Sequence, residues 1–156
     1  MAGPMDARRA KLNAAENRRA SRRGRGSALC PFCTLPESRI VARSKLSVRV
    51  RDGYPVSRGH TLLIPNRHVA DWFDLTAEEA ADLLAAAYDA KVELDSELHP
   101  DGYNLGVNAG VAAGQTVMHV HLHLIPRFAG DTPDPRGGIR HCIPHPGHYD
   151  STRPPK

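Results

Sequence analysis

Three histidines at alternate positions constrain this 156-residue chain more than any other feature. They lie in the apolar segment 117–125, and the alternation predicts that this segment is a β-strand. Side chains along a strand point alternately to its two faces, so His119, His121 and His123 share one face at intervals of roughly 6.5–7 Å. The opposite face is apolar and fit to enter a core, and its members are Val120, Leu122 and Leu124.

Three imidazoles on one face suit chemistry at phosphorus. The ordinary histidine pKa of about 6.5 leaves much of the ring neutral at pH 7, and a neutral ring nitrogen is a nucleophile. Its attack on phosphorus gives a phosphoramidate that water can cleave, which divides one hard step into two. Neighbouring imidazoles can donate to phosphate oxygens or assist the leaving group. The pattern therefore indicates phosphoryl or nucleotidyl transfer.

Short apolar runs elsewhere predict a sheet that would contain the histidine strand. Residues 47–51 and 61–64 are separated by turn residues, which predicts an antiparallel hairpin. Residues 40–42 and 103–107 are predicted as two further strands. The small, Gly-rich stretch 108–114 is predicted to be a tight loop that lets a ligand approach the backbone.

One long helix is predicted over residues 76–98. Thr76 and Glu79 have the spacing of a capping box, and Pro100 ends the helix. Apolar residues recur at helical spacing along it, which predicts a buried stripe. The members of that predicted stripe are Ala80, Leu83, Leu84, Ala87, Val92, Leu94 and Leu98.

Charge and composition divide the chain into an arm (1–28), a folded body (29–128) and a Pro/Gly-rich tail (129–156). Residues 1–26 carry eight Lys or Arg and two acidic residues, whereas the remainder carries 13 basic and 15 acidic residues. The arm is predicted to be disordered, and its charge could attract a polyanion such as nucleic acid. No apolar stretch reaches the length of a membrane span or a secretory signal, so we expect no membrane association.

The cysteines predict a metal or redox motif. Two of the three are spaced as Cys30-Pro-Phe-Cys33, and three cysteines cannot all pair in disulfides. Two thiolates at this spacing can chelate one tetrahedral ion, but zinc needs two more ligands. A structural pair of cysteines with no metal is the alternative. A reducing cytoplasm is the expected location.

Segment 114–125 resembles the signature of the histidine triad (HIT) family, in which three histidines alternate with apolar residues. The segment 46–65 is also similar to the family's first hairpin, and the resemblance covers residues 29–128. It implies an α+β fold, in which an antiparallel sheet of about five strands carries a long helix. It further implies a homodimer that binds nucleotides and cleaves at the α-phosphate, and no organic cofactor is expected.

The resemblance also implies roles for individual residues. His121 would be the nucleophile, and His123 would contact the α-phosphate and aid the leaving group. Gln115 would hydrogen-bond near the scissile oxygen. Thr116 and Asn108 would contact the phosphate, and Asp52 would bind the ribose. Two of these have plain alternatives, since Asp52 could be an ordinary turn aspartate and Asn108 a loop cap. His60 and His99 are expected to be structural or exposed.

Relatives that carry such a cysteine pair complete a zinc site with two histidines. By that resemblance the ligands here are Cys30, Cys33, His68 and His119, and the zinc is structural. His119 could then not orient His121 in the family's usual way. We then expect a backbone carbonyl in the loop 108–115 to hold the His121 ring. Without zinc, His119 returns to the catalytic group as the residue that orients His121.

The resemblance favours a hydrolase acting on dinucleoside polyphosphates or nucleoside phosphoramidates through a nucleotidyl-histidine intermediate. A histidine at position 123 is similar to the hydrolase arrangement, because transferase and phosphorylase branches tend to have glutamine there. Two further functions stay open. The chain could remove adenylate from nucleic-acid ends, using the arm 1–26, or it could be a non-catalytic nucleotide-binding signalling dimer.

Overall fold

A five-stranded antiparallel sheet with one long helix forms the body of the protein. The computed structural model describes residues 30–143. The strands are β1 (Ile40–Arg43), β2 (Ser47–Arg51), β3 (Thr61–Pro65), β4 (Gly102–Val107) and β5 (Leu122–Arg127), and the helix is α1 (Ala77–Leu98). Short 3-10 helices occupy Glu37–Arg39, Trp72–Asp74, Val111–Ala113 and Gly138–Cys142. The predicted α+β class is confirmed.

The strand order in the sheet is β1-β2-β3-β5-β4, and every neighbouring pair is antiparallel. The β2–β3 hairpin is confirmed, with Val48 opposite Ile64 and Val50 opposite Leu62. The last strand in sequence, β5, is inserted between β3 and β4. This order places the histidine segment next to the hairpin, and it leaves β4 at one edge.

Helix α1 begins as the sequence predicts. The Thr76 hydroxyl accepts from the Glu79 N–H at 3.2 Å, and the Glu79 carboxylate accepts from the Thr76 N–H at 2.9 Å, which completes the capping box. The predicted stripe was wrong at two positions, because the side chains of Leu84 and Val92 are 42% and 69% exposed. Alanines 86 and 90 are buried instead, since small side chains let the helix lie close to the sheet.

The sheet has an apolar cluster on each face. The helix face is formed by Leu83 and Leu94 of α1 with Leu63, Leu122 and other buried residues. The opposite face carries a smaller cluster of Val48, Val50, Leu62 and Ile64, against which Phe32, Leu35 and Ile40 pack. The histidines lie on this second face, because His123 is paired with Leu62.

The predicted histidine strand, 117–125, was wrong in its bounds. Regular pairing begins only at Leu122, and the chain bends at 117–119, where the His119 N–H donates to the Val117 carbonyl at 2.8 Å. Val120 nevertheless lies in the helix-side core with Leu122 and Leu124, so the two-face alternation holds beyond the strand itself.

The arm at residues 1–28 and the end of the tail at 144–156 lie outside the described residues. No helix within 30–143 is long and apolar enough to cross a membrane. The first part of the tail folds back on its own chain, where Ile139 of the last 3-10 helix packs over Gly106 of β4.

The helix-side core predicts a contrast between two neighbouring leucines. Leu83 has no exposed surface, so Leu83→Ala should cost about 2–5 kcal/mol of unfolding free energy through lost burial and a cavity. Leu84→Ala is the matched control, and its 42% exposed side chain predicts a loss below about 1 kcal/mol. Urea denaturation of both variants measures the difference. Equal losses would contradict this assignment of the core.

Candidate functional site

The rings of His121 and His123 lie side by side on the face away from the helix. His123 is paired with Leu62 of β3 on one side and Gly106 of β4 on the other. The ring centroids of His121 and His123 are 5.0 Å apart at an angle of 69°. This spacing is shorter than that predicted for a regular strand, because His121 precedes the first paired residue of β5.

The tautomer of His121 is fixed by its own chain. Its Nδ1 lies 2.8 Å from the carbonyl oxygen of His119, and a carbonyl can only accept, so Nδ1 carries the proton and donates. The lone pair is therefore on Nε2. A backbone carbonyl was predicted for this contact, but its expected location in the loop 108–115 was wrong. The bend at 117–119 brings the His119 carbonyl to the ring instead.

A fourth histidine, His60, orients His123. The Val56 N–H donates to His60 Nδ1 at 3.3 Å and lies closer to it than the Asp52 carboxylate at 3.4 Å, which assigns the His60 proton to Nε2, 3.0 Å from His123 Nδ1. His123 Nδ1 then accepts, and the remaining proton of His123 is on Nε2. That Nε2 is buried and has no hydrogen-bond partner among the described residues. His123 thus presents an unused N–H next to His121.

Burial sets the charge of these rings. Desolvation, assisted by the nearby His121 and His60, lowers the pKa of His123 to about 4. Desolvation also lowers the pKa of His60, although the Asp52 carboxylate acts in the opposite direction. Both rings are therefore neutral at pH 7, in keeping with the tautomers assigned above.

Asp52 contacts both the turn after β2 and the His60 ring. Its Oδ1 accepts from the Tyr54 N–H at 2.8 Å, as a turn aspartate does, and its Oδ2 lies 3.4 Å from His60 Nδ1. The structure therefore places this carboxylate both in the β2–β3 turn and beside the His60–His123 pair.

Four predicted metal ligands come together at one point. The ligand atoms of Cys30, Cys33, His68 and His119 all lie within 4.8 Å of one another. Cys33 Sγ is 3.2 Å from His68 Nδ1, and Cys30 Sγ and Cys33 Sγ are each 3.5 Å from His119 Nδ1. Two sulfurs and two nitrogens at these separations match a tetrahedral ion with bonds of about 2.0–2.3 Å.

The ring of His119 is prepared to act as a ligand. Its Nε2 donates to the Pro65 carbonyl at 2.9 Å, so the Nδ1 lone pair faces the two sulfurs. Burial lowers the pKa of His119 to about 4, against the opposing effect of that hydrogen bond, so the ring is neutral at pH 7. The donor set and the fixed tautomer both fit a metal ion.

The remaining predicted residues surround the loop before the histidine segment. Gln115 is buried, and its amide donates to the carbonyls of Ala70 at 2.7 Å and Val117 at 3.1 Å. Its Oε1 accepts from the Gly110 N–H at 2.7 Å. A contact from Gln115 to phosphate would require one of these bonds to be exchanged.

An open cleft of about 1250 Å³ adjoins the histidines. His60, His123 and Asn108 line it, as do the Gly-rich loop and the 138–143 segment of the tail. Thr116 is exposed at the end of that loop. The cleft is largely apolar away from these polar groups, as expected of a site for a small organic ligand.

Sequence reasoning missed two contributors to this region. His60 was expected to be structural or exposed, and it is buried as a structural histidine is, but its hydrogen bond to His123 was not predicted. Its position directly before β3, opposite Asp52 across the hairpin, was the available signal, since the Asp52 N–H donates to the His60 carbonyl at 2.9 Å. The tail residues gave no such signal, because irregular segments carry no periodicity.

Comparison with known proteins identifies the family. The model of the HIT domain matches residues 35–130, which is more than half of the chain. The chain belongs to the HIT family. The geometry of this HIT domain can therefore be set beside that of named relatives.

Three relatives are informative. AP-4-A phosphorylase of Mycobacterium tuberculosis is 37% identical over 107 residues, which cover 65% of this chain and 55% of the relative. Bis(5'-nucleosyl)-tetraphosphatase (asymmetrical) of Schizosaccharomyces pombe is 38% identical over 94 residues, covering 60% and 52%. A Zn-bound histidine triad family protein from Mycobacterium smegmatis superimposes with a TM-score of 0.63 at 35% identity, covering 70% of this chain and 86% of that one.

The short matched regions limit what can be concluded about this chain from the names of its relatives. This chain spans only about half the length of the two named enzymes. Membership of the family is therefore shared at the level of the HIT domain, and any reaction on nucleotides is a matter for proposal.

The neutral His123 predicts a pH-dependent stability. Between pH 6.5 and its folded pKa of about 4, the unfolded chain binds a proton at this ring that the folded chain does not. Stability should therefore fall as pH falls through this window, by on the order of 1–3 kcal/mol for this ring. Urea denaturation at pH 7 and pH 5 should show a smaller loss in His123→Gln than in the wild type.

His99→Asn is the control for this comparison. His99 is exposed and has a positive φ of 49°, a conformation that asparagine tolerates. This variant should lose as much stability at pH 5 as the wild type. If His123→Gln also lost as much as the wild type, the buried, neutral state of His123 would be contradicted.

Proposed function

We propose that this HIT protein is a nucleotide hydrolase that cleaves dinucleoside polyphosphates or nucleoside phosphoramidates at the α-phosphate, with His121 as the nucleophile. The observation that carries the proposal is the hydrogen bond from His121 Nδ1–H to the His119 carbonyl at 2.8 Å. It leaves the Nε2 lone pair free to attack phosphorus. The names of the mycobacterial and fission-yeast relatives support the substrate class.

In the first step, His121 Nε2 forms a bond to the α-phosphorus and the bond to the leaving group breaks. A polyphosphate leaves through its oxygen, whereas a phosphoramidate leaves as a neutral amine after its bridging nitrogen takes a proton from solvent. The leaving group takes the electron pair. His121 then carries phosphorus on Nε2 and a proton on Nδ1, so its ring is positively charged. The His119 carbonyl accepts a stronger hydrogen bond from that charged ring than from the neutral one, which stabilises the adduct.

The unused His123 N–H meets the charge that develops on the departing oxygen. A polyphosphate leaving group needs only a hydrogen bond, because a terminal phosphate with a second pKa near 6 is stable as an anion. His60 holds His123 in the donating tautomer through the 3.0 Å contact between their rings. His60 is accordingly a positioning residue in this proposal.

In the second step, water attacks the phosphorus of the adduct and the phosphorus–nitrogen bond breaks. The His121 ring leaves as a neutral imidazole, the water loses a proton to solvent, and a nucleoside monophosphate is released. We propose that Asn108, Thr116 and the backbone of the Gly-rich loop bind the phosphate, and that Asp52 binds the ribose. Gln115 braces that loop through its three backbone bonds.

Inorganic phosphate is a second possible acceptor. The M. tuberculosis relative is named a phosphorylase, and phosphate in place of water would convert the same adduct into a nucleoside diphosphate. The presence of histidine rather than glutamine at position 123 favours water.

Two other functions stay predictions: removal of adenylate from nucleic-acid ends, and a non-catalytic role as a nucleotide-binding signalling dimer. Action on nucleic-acid ends depends on residues 1–26, which lie outside the described residues. A nucleotide-binding signalling dimer would use the same cleft and histidines without turnover, so the assay of products given below separates it from a hydrolase.

We also propose that zinc occupies the cysteine–histidine cluster and that the protein is a homodimer. Four protein ligands would leave the ion no open position, so its contribution is structural. Cys30, Cys33, His68 and His119 would hold it, and it would tie the N-terminal turn to the histidine segment. The zinc named in the M. smegmatis relative supports this assignment.

The proposed reaction predicts the products from diadenosine tetraphosphate. The wild type should release AMP and ATP in phosphate-free buffer, and His121→Ala should lose at least about 1,000-fold in kcat because it lacks the nucleophile. His99→Asn, an exposed histidine outside the site, should keep wild-type turnover. Chromatography of the products measures all three.

Two outcomes of that assay would count against the proposal. Undiminished turnover by His121→Ala would refute the nucleophile. Products that appear only with added phosphate, as ADP and ATP, would refute hydrolysis and make the protein a phosphorylase.

The proposed zinc site predicts metal content. Elemental analysis of the purified protein should find one zinc per chain, and Cys30→Ser should lose it because one of four ligands is gone. Cys142→Ser is the matched control, since this exposed cysteine lies outside the cluster. Full zinc content in Cys30→Ser, or equal loss in Cys142→Ser, would contradict the assignment.

A further inference from the structure

The short turn between the two cluster cysteines carries an aromatic ring to the proposed nucleophile. The turn is closed by the Cys33 N–H, which donates to the Cys30 carbonyl at 3.1 Å, and by the Thr34 hydroxyl, which donates to the same carbonyl at 3.2 Å. These bonds fix the backbone on both sides of Phe32. The Phe32 side chain therefore leaves the turn in a set direction.

The Phe32 ring packs against both neighbouring histidines. Its centroid is 5.1 Å from that of His121 at an angle of 65°, and 6.0 Å from that of His119 at 72°. Both are edge-to-face arrangements, which aromatic rings prefer. Phe32 also packs against the small apolar cluster of the sheet, which supports the ring.

Three contacts consequently restrain His121. Its Nδ1 is held by the His119 carbonyl, one side of its ring meets His123 at 5.0 Å, and Phe32 packs against it at 5.1 Å. A hydrogen bond at Nδ1 alone would still allow the ring to swing about that contact. A second ring packed against it removes that freedom and keeps Nε2 aimed in one direction.

We infer that Phe32 is a positioning residue for His121, and that the cysteine–histidine cluster anchors it in that role. The inference rests on the proposed function. The Phe32 side chain has no polar group to offer a phosphate, and its ring packs against His121, so it acts through His121. Two groups that restrain His121 belong to the cluster's own chain segments. Phe32 lies between Cys30 and Cys33, and the carbonyl belongs to His119.

The kinetic test compares three substitutions in the full-length, metal-loaded protein. Phe32→Leu keeps an apolar side chain but removes the ring, so kcat should fall about two- to ten-fold, the usual worth of an aromatic pair, while KM changes less than about two-fold. Phe32→Tyr keeps the ring and should restore kcat. Phe73→Leu is the matched control at an 83% exposed phenylalanine and should change neither constant.

A spectroscopic arm tests the same inference without substrate. In ¹⁵N-labelled protein, the ring signals of His121 should shift or broaden in Phe32→Leu, and also when a chelator removes the metal from the wild type. They should be unchanged in Phe73→Leu. Because this arm does not depend on turnover, it can support the positioning role even if the protein fails to cleave dinucleoside polyphosphates.

Three results would overturn the inference while leaving the proposed function standing. The first is wild-type kcat in Phe32→Leu with metal retained. The second is His121 ring signals identical to those of the wild type in that variant. The third is a loss of kcat in Phe32→Leu that is matched by loss of metal from the cluster, which would make Phe32 a structural part of the metal site only.

Discussion

A single hydrogen bond within three residues of chain, from His121 Nδ1 to the His119 carbonyl, organises the site. It decides which nitrogen of His121 carries the proton and which offers a lone pair. It exists because the backbone bends at 117–119 before regular pairing begins at Leu122. A regular strand would send that carbonyl to a neighbouring strand. The irregularity at the start of β5 is therefore a requirement of the proposed chemistry.

The bent segment 117–121 connects the cysteine–histidine cluster to the His121 ring. His119 uses its Nδ1 toward the cysteine pair, its Nε2 toward the Pro65 carbonyl and its own carbonyl toward His121. A residue with three partners has little freedom to move, so the geometry of the cluster is passed directly to the neighbouring ring. The His60–His123 pair is restrained in a similar way, because the neutral His60 ring fixes the tautomer of His123.

Much of the fold could be predicted because it depends on local patterns. The capping box at Thr76, the β2–β3 hairpin and the alternation around Leu122 are each encoded within a few residues. The exposure of Leu84 and Val92 could not be predicted, since helical spacing defines a stripe but not how much of it the sheet covers. The bend at 117–119 was missed because apolar alternation persists through it.

The site was predicted less completely, for a physical reason. The alternating histidines could be found because their spacing is local. The family resemblance also implied four metal ligands, and the structure brings these four side chains together. His60 and Phe32 contact His123 and His121, which lie 63 and 89 residues away in sequence, and no local pattern reports such contacts.

Capture of a nucleoside monophosphate by His121 is the claim on which the account depends most. Mass spectrometry of protein quenched in alkali during turnover tests it directly. The account predicts a mass increase of one nucleoside monophosphate on the peptide that contains residues 119–123, localised by fragmentation to His121. An adduct on a different residue, or turnover with no adduct at any quench time, would contradict it.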